Sequence, residues 1–177
     1  HSFPTRRSSD LSAVVRGTPR EGIDFFPLQI DYRERTSAAG KFPGGFRKRE
    51  GAPNTKEILT MRNIDRPLRP LFPKGLFDEV VIQCWVESAD GQNDSDVVAA
   101  IAADAAVAIS SIPHDGPIAT VRVARIEDQF VLNPTNAELE YAEMDMLLSG
   151  HRDGINMIEV GAAEVPEDVV LEAMTFG

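Results

Sequence analysis

Hydrophobic and polar positions alternate in two different rhythms along this chain. Phe26, Leu28, Ile30 and Tyr32 alternate with Pro27, Gln29, Asp31 and Arg33. That is the period of a half-buried strand, and Pro27 marks it as an edge or entry position. Residues 79–88 predict a second strand. Val80, Ile82, Cys84 and Val86 form one face, while Val81 and Trp85 on the other imply burial on both sides and hence a central position. A turn over Asp90, Gly91, Gln92, Asn93 and Asp94 carries its own helix cap and leads into a helix over residues 95–111. Small residues on every face of that helix let backbones approach closely, so it belongs against a sheet; Ile112-Pro113 stops it.

The second half is built from shorter pieces. Residues 119–126 alternate again, and Glu127-Asp128-Gln129 turns them into Phe130-Val131-Leu132 as a hairpin. Asn133-Pro134-Thr135 opens a short acidic helix ending near Tyr141. Residues 144–149 and 155–160 are two more strands around a turn, and Val165-Pro166-Glu167-Asp168 starts a last helix with proline and acids where a helix dipole favours them. Strands alternating with helices, then hairpins, predict an α/β (α+β) domain with a mixed sheet packed by helices.

Charge changes the picture in one place. Residues 41–74 carry nine Lys or Arg against three acids, a local charge of +6, in a chain whose net charge is −10. Clustered cations in an acidic protein point to phosphate, in a nucleotide or a nucleic acid. Pro43-Gly44-Gly45 forms a loop, and Phe46, Arg47, Lys48 and Arg49 follow as an aromatic and three cations. Asn54 or Thr55 caps the next helix, with Glu57 in its first turn. Ile58, Met61 and Ile64 give it an apolar face; Arg62, Arg66 and Arg69 give it a basic one if the helical path survives Pro67. A solvated helix face with Asp65 and Glu57 as local ion-pair partners is the plain alternative, since surface pairs cost little. A cationic loop feeding directly into an arginine stripe favours phosphate binding.

The run PGGFRKREGAPNTKEILTMRNIDRPLRPLFPKG resembles the signature of the polynucleotide phosphorylase family in its first ribonuclease-PH-like domain. The resemblance extends from about Gly22 to Gly177 through FFPLQIDY, ESADGQND, GPIATVRV, FVLNPT and EDVVLEAMTFG. Arg47 stands where that family usually has a second Phe, and Ala52 where it usually has Arg. The resemblance implies a ribonuclease-PH-like domain of the ribosomal-protein-S5 domain 2-like type. It implies a phosphorolytic 3′-to-5′ exoribonuclease of mRNA decay, a polyribonucleotide nucleotidyltransferase that uses inorganic phosphate as co-substrate and releases nucleoside diphosphates. Its implied partners are single-stranded RNA, two further copies in a cytoplasmic homotrimeric ring, and other RNA-degrading proteins. RNA contacts carry over to Phe46, Arg47, Lys48, Arg49, Arg62, Arg66 and Arg69. The catalytic phosphate site and its Mg2+-binding acids fall in a second domain outside this chain, so no catalytic and no metal-binding residue is assigned here, and the fragment itself is expected to be inactive. A non-catalytic RNA-binding or scaffold subunit of an exosome-like ring is the alternative. A stand-alone tRNA-trimming enzyme fits the loop less well.

Residues 1–11, HSFPTRRSSDL, show neither period and are expected to be a disordered or foreign head; residues 12–177 are then an incomplete first domain whose leading strands are missing. Such a truncation is expected to leave a sheet edge uncovered beside Phe26 to Tyr32. One cysteine excludes an internal disulfide. His1, His114 and His151 form no spaced ligand pair and read as loop or turn residues. The paired acids Glu138/Glu140 and Asp145/Asp153 read as solubility rather than acid–base chemistry. No apolar run reaches the roughly 18 residues of a membrane span.

Overall fold

A computed structural model describes residues 9–19, 21–46 and 48–177. Two sheets organise them. The first has the order β1-β3-β2, from β1 (Ser9–Arg16), β2 (Leu28–Glu34) and β3 (Val80–Ser88); β1 runs antiparallel and β2 parallel to β3. The second is an antiparallel ladder of β4 (Ala119–Ile126), β5 (Gln129–Leu132), β6 (Met144–His151) and β7 (Gly154–Ala162), in the order β5-β4-β6-β7. The expected mixed sheet is the first of these, and the second, purely antiparallel one stands beside it. Alternation shows which side chains share a face but is silent about which strands pair. Tight turns made every pairing in the second half local except that of β4 with β6, and the chain crosses between the sheets at residues 112–118.

The central place of β3 follows from its two faces. Val80, Ile82, Cys84 and Val86 are buried and share a cluster with Leu28, Ile30 and Tyr32 of β2. α2 (Asp96–Ala108) lies on β1 and β3 and reaches β4, with Ala99, Ala103 and Val107 fully buried. Alanines at those positions bring helix and sheet backbones close without a bulky layer between them. On the second sheet, Val123, Met144, Met146 and Leu148 pack under α4 (Glu167–Phe176) through Ala173. β1 begins at Ser9, so its first residues fall inside the stretch 1–11 that looked foreign; residues 1–8 lie outside the described residues.

Two ends differ from expectation in their chemistry. Ser95 at the start of α2 makes no side-chain cap, and the Asp90 carboxylate instead accepts from the Gln92 and Asn93 amides, closing the turn before it. A capping box does form at the short α3 (Asn136–Leu139): Thr135 and Glu138 exchange bonds, so Glu138 is structural rather than a solubilising acid. Asp145 also has structural partners. Arg122 on β4 pairs with Asp145 on β6 at 2.8 Å and with buried Asp96 on α2, tying the second sheet to the helix that covers the first. Burial opposes the Arg122 charge, yet the two carboxylates outweigh it and raise its pKa, while burial pushes the Asp145 carboxyl up.

Candidate nucleic-acid interface

The basic island is the connection that carries the chain from β2 to β3. It leaves β2 through a 3-10 turn at Thr36–Ala39, closed by Gly40 in the left-handed region (φ 68°), whose N–H donates to the Ser37 carbonyl. A loop follows from Lys41, and α1 (Thr55–Leu68) closes the island; Pro67 is accommodated in its last turn. The loop is bolted at its base. Glu50 accepts from the Thr36 amide and hydroxyl at 2.9 and 3.2 Å and lies 3.7 Å from Arg35. Arg35 in turn lies over the Trp85 ring at 5.1 Å. Asn54 and Glu57 form a reciprocal capping box at the start of α1. The second oxygen of Glu57, a buried residue, accepts from the Glu34 amide of β2 at 3.0 Å. Lys56 lies between Glu34 at 2.9 Å and Asp94 at 2.5 Å; burial works against its charge, but those carboxylates prevail and raise its pKa.

Above this base the loop encloses an open cavity of about 620 Å³ lined by Arg35, Ser37, Lys41, Phe42, Lys48 and Arg49 together with the Glu50 base. Lys41, Lys48 and Arg49 have no ion-pair partner among the described residues, whereas Arg35 is engaged by Glu50. Lys48 sits at φ 48°, and its N–H points to the Gly45 carbonyl at 3.4 Å. A left-handed lysine is an uncommon conformation, and such residues gather where backbone is shaped for a task.

The seven residues singled out in the sequence do not form one surface. Lys48 and Arg49 share the cavity. Phe46 is fully exposed on the same loop but does not line the cavity. Arg47 lies outside the described residues. Arg62 is exposed on α1 without an ion pair among the described residues, and Arg66 lies 3.6 Å from Glu159 on β7. Arg69 has internal partners. Its guanidinium takes both oxygens of Asp65 at 3.0 and 2.6 Å and donates to the carbonyls of Phe26 and Leu28 at 3.1 and 3.2 Å. Arg69 thus serves the scaffold, and with Glu57 it satisfies polar groups along β2, the edge expected to be uncovered. Lys41 was visible as part of the charge count. The cavity wall at Arg35 and Phe42 depends on how the loop folds back on the 3-10 turn, which no local pattern encodes.

Elsewhere the titratable groups are structural. Buried His114 lies 3.5 Å from Asp104 and against the Phe72 ring, so it is a core residue rather than a ligand. Burial pushes the Asp104 carboxyl up and the His114 imidazole down, the latter partly offset by Asp104 and Asp115. Among the described residues no group of three or more His, Cys, Asp or Glu is placed to hold a metal ion, and no helix is long and apolar enough to cross a membrane.

Fold and loop together define an α/β domain that carries a cationic cavity, and comparison with known proteins gives its class. Residues 10–113 match the 3′ exoribonuclease family, domain 1, and residues 116–177 match domain 2 of the same family, so the chain belongs to that family. The two matches meet where the chain passes from the first sheet to the second. Among individual relatives, a polyribonucleotide nucleotidyltransferase of Rhodopirellula baltica is 55% identical over 94% of this chain. Another of Sulfurihydrogenibium sp. is 52% identical over the same share. The chain spans 22% and 24% of those two proteins, a minor part of their length. Rice Rrp46 shares the fold, with a TM-score of 0.75 at 13% identity, covering 96% of this chain and 76% of that one.

Proposed function

We propose that this chain is the RNA-holding and ring-forming part of a phosphorolytic 3′-to-5′ exoribonuclease, a polyribonucleotide nucleotidyltransferase acting in cytoplasmic mRNA decay as a homotrimer. The observation that carries the reading is the pair Lys48 and Arg49, which have no ion-pair partner among the described residues, on a loop fixed at its base. Identity above 50% to two nucleotidyltransferases supports it over a scaffold subunit. In this reading residues 12–177 form the first ribonuclease-PH-like unit.

The chemistry asks little else of this part. An oxygen of inorganic phosphate attacks the phosphorus of the 3′-terminal nucleotide, and the bond to the penultimate O3′ breaks. The nucleoside leaves as a 5′-diphosphate, and the shortened strand keeps a 3′-hydroxyl. Mg2+ would support that attack from acids elsewhere in the full-length protein; among the described residues no group of three or more His, Cys, Asp or Glu is placed to hold it, so no step is assigned to it here. An enzyme that must hold any sequence gains from contacts to phosphates and base faces, which carry no sequence information. The acidic remainder of the chain disfavours RNA elsewhere.

Salt titration of RNA binding by the full-length protein tests this. The log–log slope falls by about 0.7 per phosphate neutralised on a single strand. Replacing Lys48 and Arg49 by Ala should therefore flatten it by roughly 1 to 1.5, with equal losses for poly(A) and poly(U). Unchanged affinity and slope would mean the loop is plain solvated surface.

A further inference from the structure

Phe42 is the most unexpected residue of the loop. It is 94% exposed and belongs to none of the hydrophobic clusters among the described residues, yet it forms part of the wall that Lys41, Lys48 and Arg49 share. A phenylalanine left in water inside a cationic cavity lacks the apolar contacts that normally favour an aromatic ring. Its position is fixed from both sides. The Lys41 N–H donates to the Thr36 carbonyl at 3.1 Å, which anchors the chain one residue before the ring, and Glu50 ties the opposite wall to the same Thr36. Arg35 is engaged by Trp85 and Glu50 and so builds the wall, leaving Lys41, Lys48 and Arg49 as the charges open to a ligand.

We propose that this cavity is a one-nucleotide subsite for single-stranded RNA, in which a base stacks on Phe42 while Lys41, Lys48 and Arg49 hold the flanking phosphates. The inference rests on the RNA-holding reading above and adds a residue and a place to it. A volume of about 620 Å³ lies within the range of small-ligand sites, which typically hold roughly 300 to 1,000 Å³. An aromatic face beside cations is the arrangement that takes bases without reading them. An acidic peptide would use the three charges and leave the ring idle, and free phosphate would do the same. The site therefore differs from the fully exposed Phe46, which lies outside the cavity and acts as a separate contact.

The test is equilibrium binding of a fluorescently labelled oligoadenylate of about 10 nucleotides to the full-length protein, a length within the span such grooves cover. Phe42→Ala should weaken binding roughly 5- to 100-fold, the range a lost base stack gives, with the salt slope unchanged. Phe42→Tyr should restore it, because the ring and not its identity stacks. Lys48→Ala with Arg49→Ala should weaken binding and flatten the slope. The exposed side chain at position 42 makes an unfolding effect easy to detect, since the melting temperature should not move. Normal binding by Phe42→Ala, alongside a loss in the Lys48/Arg49 variant, would overturn the subsite and leave the RNA-holding reading standing. Normal binding by both would overturn the two together. Poly-glutamate binding that is unchanged by Phe42→Ala would support stacking as particular to the oligonucleotide; poly-glutamate that binds the unaltered protein as tightly as the oligonucleotide does would show a peptide site instead.

Discussion

Arg69→Ala separates a scaffold arginine from an RNA arginine. The guanidinium makes two bonds to carbonyls at the start of β2, a forked pair with Asp65, and a contact 5.9 Å from the Phe26 ring. Its side chain is 43% exposed, so the pair with Asp65 is screened and contributes only about 0.3–0.5 kcal/mol. The two carbonyl bonds contribute about 0.5–1 kcal/mol each, and the ring contact about 0.5. Together the loss is about 2 kcal/mol, which for a domain of this size lowers the melting temperature by roughly 4 to 8 °C. Arg69→Lys should recover less than half of that, because an ammonium cannot reproduce the planar fork. Thermal unfolding of the 177-residue chain followed by circular dichroism reads the stability. RNA titration of the full-length protein reads the rest, and its salt slope should not change. An Arg69→Ala chain that melts at the original temperature, while its full-length counterpart loses about 0.7 of slope, would refute the assignment and return Arg69 to the RNA surface.

Two other outcomes follow from the packing. His114 has a lowered pKa in the folded chain because of its burial, so on acidification below about pH 6.5 the unfolded chain takes up the proton first and stability falls. His114→Gln should remove that loss in melting temperatures compared between pH 7 and about pH 5.5; an unaltered chain equally stable at both would contradict it. β7 is an edge strand with Ile155, Ile158 and Val160 exposed, so Val160→Lys should reduce light scattering of the isolated chain while changing stability by less than about 0.5 kcal/mol.

Local pattern was a good guide to the elements and a poor one to their partners. β2, β3 and α2 could be read because each carries one period over enough residues to mark a face. The division into two sheets could not, because it depends on pairing between distant strands. The same limit applies to charge. Arg122, Asp96 and Asp145 look unremarkable along the chain, and only the approach of β4 and β6 to α2 makes them an ion-paired triad. Within the island, the place of Lys48 and Arg49 on one exposed loop was legible from composition and loop residues. Arg69 shares their chemistry and was indistinguishable from them until the backbone of β2 passed beneath it. Phe42 was hidden for the opposite reason, since an aromatic next to a loop proline looks like a core anchor until its exposure is known.

Parallel neighbours such as β2 and β3 cannot be joined by a tight turn and need a crossover of a dozen or more residues. Here that obligatory length is the basic island itself. Residues 41–49 are suspended between two fastenings, Glu50 on Thr36 and Glu57 on Glu34, and the sheet register is set beneath them. The loop is therefore an exchangeable cassette. Its rings and cations can be swapped, and its length changed, without disturbing a strand, whereas a change at Glu57 would unseat the crossover whatever the loop contained.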